Sequence, residues 1–288
     1  MYKSQRLIAA AGVSLLAALI VPATTAAASG PPLYKSTVAL STVGNLPSVG
    51  GEAYAFSEFG NEVGLTGVNL GKVVVTMSTW ACQTGSWNLG NCGTTPGATF
   101  TEPITFNIYA PPAFGSATPG NLIATRTATF TIPYRPSANY THCTGANAGK
   151  WWDSLLAKCL NGKVVNIAFT FGVTLPSTDV VFGIAYNTTH YGYNPIGQDA
   201  PCYTASGGCP YDSLNIALTQ DPTNVTAGSD RYPGTVYQNA IASEYCDQGA
   251  AGAGFFRLDS PASPSCWGVN APYTSSPFYI PAVLFKHA

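Results

Sequence analysis

Six runs of β-branched and aromatic residues, with no stretch of sustained helical spacing between them, limit what this chain can become. They are Val73-Val74-Val75-Thr76-Met77-Ser78, Ile104-Thr105-Phe106-Asn107-Ile108-Tyr109, and residues 122–132, 164–171, 180–186 and 214–219. Branching at Cβ and flat rings suit the pleated surface of a strand and crowd the turn of a helix. Within 105–109 apolar and polar residues alternate, so Phe106 and Ile108 face one way and their neighbours the other. That is the pattern of a half-buried antiparallel strand. About ten strands separated by turn residues predict an all-β chain, an antiparallel β-sandwich of jelly-roll-like form. At most one short helix is expected, over 151–159, with Asp153 or Ser154 near its start.

Only 9% of the residues are charged, against about 25% in an average soluble domain. Solubility must then rest on hydroxyls and amides, which suits strands and turns better than exposed helices. With 46% hydrophobic residues the chain can bury a sizeable core and is too apolar to stay disordered. Residues 52–288 read as a single β-sandwich domain, with a small β-unit after residue 200 as the alternative. Residues 29–51, with Pro31-Pro32 and repeated Ser, Thr and Gly, read as an extended leader carrying one edge strand at 36–41.

Lys3 and Arg6 precede an apolar run over 7–21, followed by Pro22 and Ala26-Ala27-Ala28. A basic start, an apolar core and a small-residue site predict a secretory signal peptide over 1–28, cut after Ala28. The apolar run is shorter than the roughly 20 residues that a membrane span requires. Removing Lys3 and Arg6 leaves ten basic against thirteen acidic residues, a net charge of −3. Such a balance disfavours a nucleic-acid partner. Free secretion without a membrane span is the expectation.

Eight cysteines fall in four close pairs: Cys82/Cys92, Cys143/Cys159, Cys202/Cys209 and Cys246/Cys266. In an oxidising compartment an even count is read first as disulfides. Pairing between nearest neighbours is expected, because each pair brackets a loop rich in Gly, Asn or Ser. A chain this long does not need staples to fold, so the bridges read as loop clips, each contributing roughly 2–3 kcal/mol. Zinc would need C-x-x-C spacing or clustered histidines, and neither is present. No metal or cofactor is expected.

Two stretches carry a resemblance. Phe56-Ser57-Glu58-Phe59-Gly60-Asn61-Glu62-Val63-Gly64-Leu65-Thr66-Gly67, then Thr118-Pro119-Gly120-Asn121-Leu122-Ile123-Ala124 leading into Phe130-Thr131-Ile132-Pro133, resemble exported bacterial β-sandwich proteins of actinobacterial type. In those an FGDEV-x-L-x-G strand opens the sheet and a TPG-x-L turn joins two later strands. The likeness covers 52–135 and continues more loosely to Pro281-Ala282-Val283. Here Asn61 stands where the pattern commonly has Asp, which removes a carboxylate that a cation site would use. The resemblance implies life outside the cell and carries over no catalytic residue.

The signals of a nucleophilic hydrolase, a zinc protease or a phosphate loop are missing: there is no G-x-S-x-G, H-E-x-x-H or P-loop pattern. His142, His190 and His287 are the only histidines, and the glycines of 249–254 lack a βαβ context. Paired carboxylates could serve glycoside hydrolysis, and Glu58 and Glu62 are spaced to share one strand face, while Asp199 and Asp212 flank a cysteine loop. Asn139, Asn187 and Asn224 begin N-glycosylation patterns, which matter only in a host that modifies them.

The aromatic residues cluster with the cysteines. Trp80 and Trp87 flank or lie in the first loop, Trp151 and Trp152 lie in the second, and Trp267 follows the last pair. Tyr191 and Tyr193 sit in an amide-rich segment, and Tyr203 lies beside the third pair. Rings stack on sugar faces while amides and hydroxyls bond the sugar edges, so rings on braced loops would make a glycan platform. Equally, such rings cap the ends of a sandwich core. The expected function is non-catalytic binding of a glycan or another cell-surface component. The alternatives are a carboxylate-dependent extracellular glycoside hydrolase and a structural envelope or matrix protein.

Overall fold

The computed structural model describes residues 30–39, 46–51, 56–87, 89–186, 214–221, 223–233, 235–239, 255–258 and 278–288. In chain order the first strands are β1 (Tyr34–Lys35), β2 (Ser48–Gly50), β3 (Glu58–Gly64), β4 (Asn69–Thr79), β5 (Thr99–Tyr109) and β6 (Leu122–Pro133). There follow β7 (Trp151–Asp153), β8 (Lys158–Leu160), β9 (Lys163–Thr174), β10 (Asp179–Tyr186) and β11 (Leu214–Asp221). The last are β12 (Ser229–Asp230), β13 (Tyr237–Gln238), β14 (Arg257–Leu258), β15 (Phe278–Pro281) and β16 (Val283–His287).

These strands make two seven-stranded sheets and one hairpin, β7–β8, with every pairing antiparallel. In the first sheet β4 pairs along its length with β9. Its other edge is shared: β16 takes the first half and β11 the second. At the join the Thr76 amide donates to the Ala282 carbonyl at 3.0 Å. The second sheet runs β14-β13-β3-β10-β5-β6, with β12 also on β3. The chain is thus an all-β sandwich, as the strand pattern predicts.

Alternation decides which faces meet. Val73, Val75 and Met77 of β4 and Ile104, Phe106 and Ile108 of β5 are fully buried, as a period of two requires when one face is packed. Phe106 is the hub between the sheets. Its ring stacks on Phe182 of its own sheet at 5.5 Å and meets Phe169 and Phe285 of the opposite sheet at 5.6 and 5.7 Å.

Two local expectations are corrected. Residues 151–159 form no helix; they are the β7–β8 hairpin, and a short 3-10 turn lies just before it at Gly145–Asn147. Asp153 explains the difference: its Oδ1 accepts from the amides of Leu155 and Leu156 at 2.9 and 3.1 Å. A short acceptor placed this way turns the chain instead of starting a helix, and Ala157, in the left-handed region at φ 51°, completes the reversal. Of the edge strand expected at 36–41, residues 36–39 form none and residues 40–41 lie outside the described residues; the edge strand here is β1, where Tyr34 faces Phe285. Leu33, Tyr34 and Val49 join the core, so parts of the segment read as a leader belong to the first sheet.

Two disulfides are formed as expected, Cys82–Cys92 and Cys143–Cys159. Cys202, Cys209, Cys246 and Cys266 lie outside the described residues. Disulfides place this chain in an oxidising environment. Among the described residues no helix is long and apolar enough to cross a membrane.

Candidate functional site

Beyond Thr79 the chain leaves β4 as Trp80-Ala81-Cys82 and enters the first braced loop. Thr84 and Gly93 exchange backbone hydrogen bonds at 2.8 and 2.9 Å, and Asn91 Oδ1 accepts from the Ser86 amide at 2.8 Å. With Cys82 tied to Cys92, the loop folds back and sets Trp87 edge-on to Trp80, ring centroids 4.6 Å apart and planes at 88°. That geometry suits the ring quadrupoles.

The segment leaving β6 threads beside this loop. The Arg135 amide donates to the Ala81 carbonyl at 2.8 Å, and that of Ala138 to the Cys92 carbonyl at 2.9 Å. The second braced loop then docks on the first. Gly90 and Gly149 adopt φ of 70° and 81°, and a Cβ built on Gly149 would lie 2.6 Å from Gly90 Cα. Only glycines permit this approach. Tyr140 adds a bond from its hydroxyl to the Gly90 carbonyl at 2.6 Å.

Two clefts border residues 133–137: Pro133, Tyr134, Pro136 and Ser137 line the first, and Arg135 lines the second. The first cleft, about 490 Å³, takes in Tyr134, Asn139, Trp152 and Lys163. The second, about 410 Å³, is bounded by Trp80, Trp87, Arg135, Gly149, Lys150 and Asn161.

Arg135 is 2% exposed. Its Nη2 donates to the Gly149 carbonyl at 2.7 Å and its Nε to the Asn161 carbonyl, while Nη1 is buried without a hydrogen-bond partner among the described residues. Burial pushes the guanidinium down to about 10, so it stays cationic at neutral pH. Lys150 Nζ is held by Asn147 Oδ1 at 2.9 Å.

The tryptophans singled out from the sequence divide by role. Trp80 and Trp87 are half-buried in the second cleft, and Trp152 is half-buried in the first, one face stacked on His142 at 4.7 Å. Trp151 points inward instead: it is 5% exposed, its indole N–H donates to the Gly162 carbonyl at 3.0 Å, and Lys163 Nζ lies 5.0 Å from its ring centre. Trp151 is thus a core ring, while the other three keep part of their surface on the cleft walls. Tyr191, Tyr193, Tyr203 and Trp267 lie outside the described residues. Arg135, Lys150 and Tyr134 were not singled out. The signal available was Pro133-Tyr134-Arg135-Pro136, an arginine fixed between prolines and lying between two cysteine pairs.

Glu58 and Glu62 do share the outer face of β3. Glu58 Oε1 accepts from Asn107 Nδ2 at 2.9 Å and the Tyr109 hydroxyl at 2.8 Å; Glu62 Oε2 accepts from the Tyr237 hydroxyl at 2.9 Å. Burial is the main cause that raises both carboxyls above the ordinary value of 4.5. Each carboxyl has its own phenol, and neither lines either of these two clefts. Among the described residues no three His, Cys, Asp or Glu side chains gather as a metal site.

Comparison with known protein families, curated proteins and solved structures finds no match.

Proposed function

We propose that this is a secreted, non-catalytic β-sandwich protein that binds a glycan at its disulfide-braced end. The observation that carries the reading is the convergence of Trp80, Trp87 and Trp152 on two clefts walled by loops that Cys82–Cys92 and Cys143–Cys159 hold in place. Half-buried rings with fixed planes offer apolar faces to a sugar at little entropic cost, since the bracing is already present before a ligand arrives. Neighbouring carbonyls, hydroxyls and amides, including Ser137 and Asn139 in the first cleft, supply polar edges. Secretion fits the signal-like start and the oxidised cysteine pairs.

A glycan array probed with the mature protein tests this. Retention is expected on a defined subset, and Trp152→Ala or Trp87→Ala should weaken it at least about tenfold, or about 1.4 kcal/mol. Both variants should keep a near-native unfolding midpoint, whereas Trp151→Ala should lower the midpoint. Absence of retention across the array, or equal retention by wild type and both cleft variants, refutes the reading.

A further inference from the structure

The second cleft contains a charge that the described chain does not neutralise. Arg135 is almost wholly buried, yet its guanidinium is held by two backbone carbonyls and no carboxylate. Among the described residues the cleft wall includes no acidic side chain, and a second cation, Lys150, stands in the same wall. A buried cation with only neutral acceptors is costly, because dipoles recover part of the hydration it loses but not the attraction of an opposite charge. Since Nε and Nη2 are committed to Asn161 and Gly149, Nη1 is the donor left over. Prolines on both sides, the Arg135 amide bond to Ala81 and the glycine contact between the loops keep it in place.

We propose that the Trp80–Trp87–Arg135–Lys150 cleft binds an acidic sugar, the pyranose ring against an indole and the carboxylate between Arg135 and Lys150. This rests on the glycan-binding reading and names the class of glycan. Charge-assisted bonds from a shielded guanidinium are about twice as strong as neutral ones, so the carboxylate separates this ligand from a neutral sugar of equal shape.

The discriminating probes are uronate- and sialate-containing oligosaccharides beside their methyl esters, which keep the ring and linkage and remove the charge. Tryptophan fluorescence titration should show the acids binding at least tenfold more tightly than the esters, with the difference shrinking as salt rises. Lys150→Met should cut that preference severalfold, while Lys72→Met, an exposed site on β4, should leave it intact. Arg135→Lys is the stricter variant, and Lys150→Met keeps the test valid if it does not fold. Equal binding of acids and esters overturns the acidic assignment and leaves glycan binding standing, as does binding of neutral glycans alone. Failure of every acidic and neutral glycan overturns both.

Discussion

Replacing Gly149 with alanine probes the joint on which the candidate site depends. Two costs add there. At φ 81° an L-residue pays about 1–2 kcal/mol for the left-handed conformation. The new methyl would lie 2.6 Å from Gly90 Cα, about 1 Å inside normal carbon contact, so one loop must retreat. Overpacking of this kind costs about 1–3 kcal/mol. The expected loss is therefore about 2–5 kcal/mol, or a fall of roughly 4–20 °C in the unfolding midpoint at about 2–4 °C per kcal/mol. Gly145→Ala is the control: φ is 57° and nothing lies within 4 Å of the added methyl, so only the backbone cost of about 1–2 kcal/mol applies. Thermal and urea unfolding of the oxidised proteins would read the difference. Tryptophan emission should also shift in Gly149→Ala, because the carbonyl that holds Arg135 moves with the loop. If Gly149→Ala is no more damaging than Gly145→Ala, the glycine contact does not join the loops and the account of the clefts fails.

Two further predictions concern the sandwich. Phe106→Ala should destabilise by about 3–5 kcal/mol, since its ring is fully buried and touches both sheets; a loss under about 1 kcal/mol in urea unfolding would remove it from the hub of the core. Glu58 and Glu62 hold their protons more tightly folded than unfolded, so their ionisation opposes folding as pH climbs from 4.5 through their raised folded values. The double variant Glu58→Gln/Glu62→Gln should therefore gain stability relative to wild type as pH rises across that window. A relative loss would contradict the sign of the burial effect.

Much of the sandwich is legible in the sequence because strand propensity and alternation are local. The run 73–78 becomes the centre of β4, and the alternation at 105–109 places Phe106 and Ile108 inside. The hairpin at 151–160 is harder to read, because its aromatic residues and short apolar run fit either element; the side-chain bonds of Asp153 choose between them. Trp151 and Trp152 are adjacent and chemically identical, so their opposite roles follow only from which side of β7 each occupies.

The sequence by itself determined an all-β chain and pointed to nearest-neighbour pairing of the cysteines, since both depend on residue type and short spacing; the structure forms two of those pairs among the described residues. Tertiary structure decided the candidate site. Trp80, Arg135 and Lys150 come from three separate segments, and an unpaired guanidinium becomes recognisable only when its surroundings are known. Burial, and the absence of a carboxylate beside it among the described residues, are properties of the packed loops, because desolvation depends on everything around a charge and not on its neighbours in the chain.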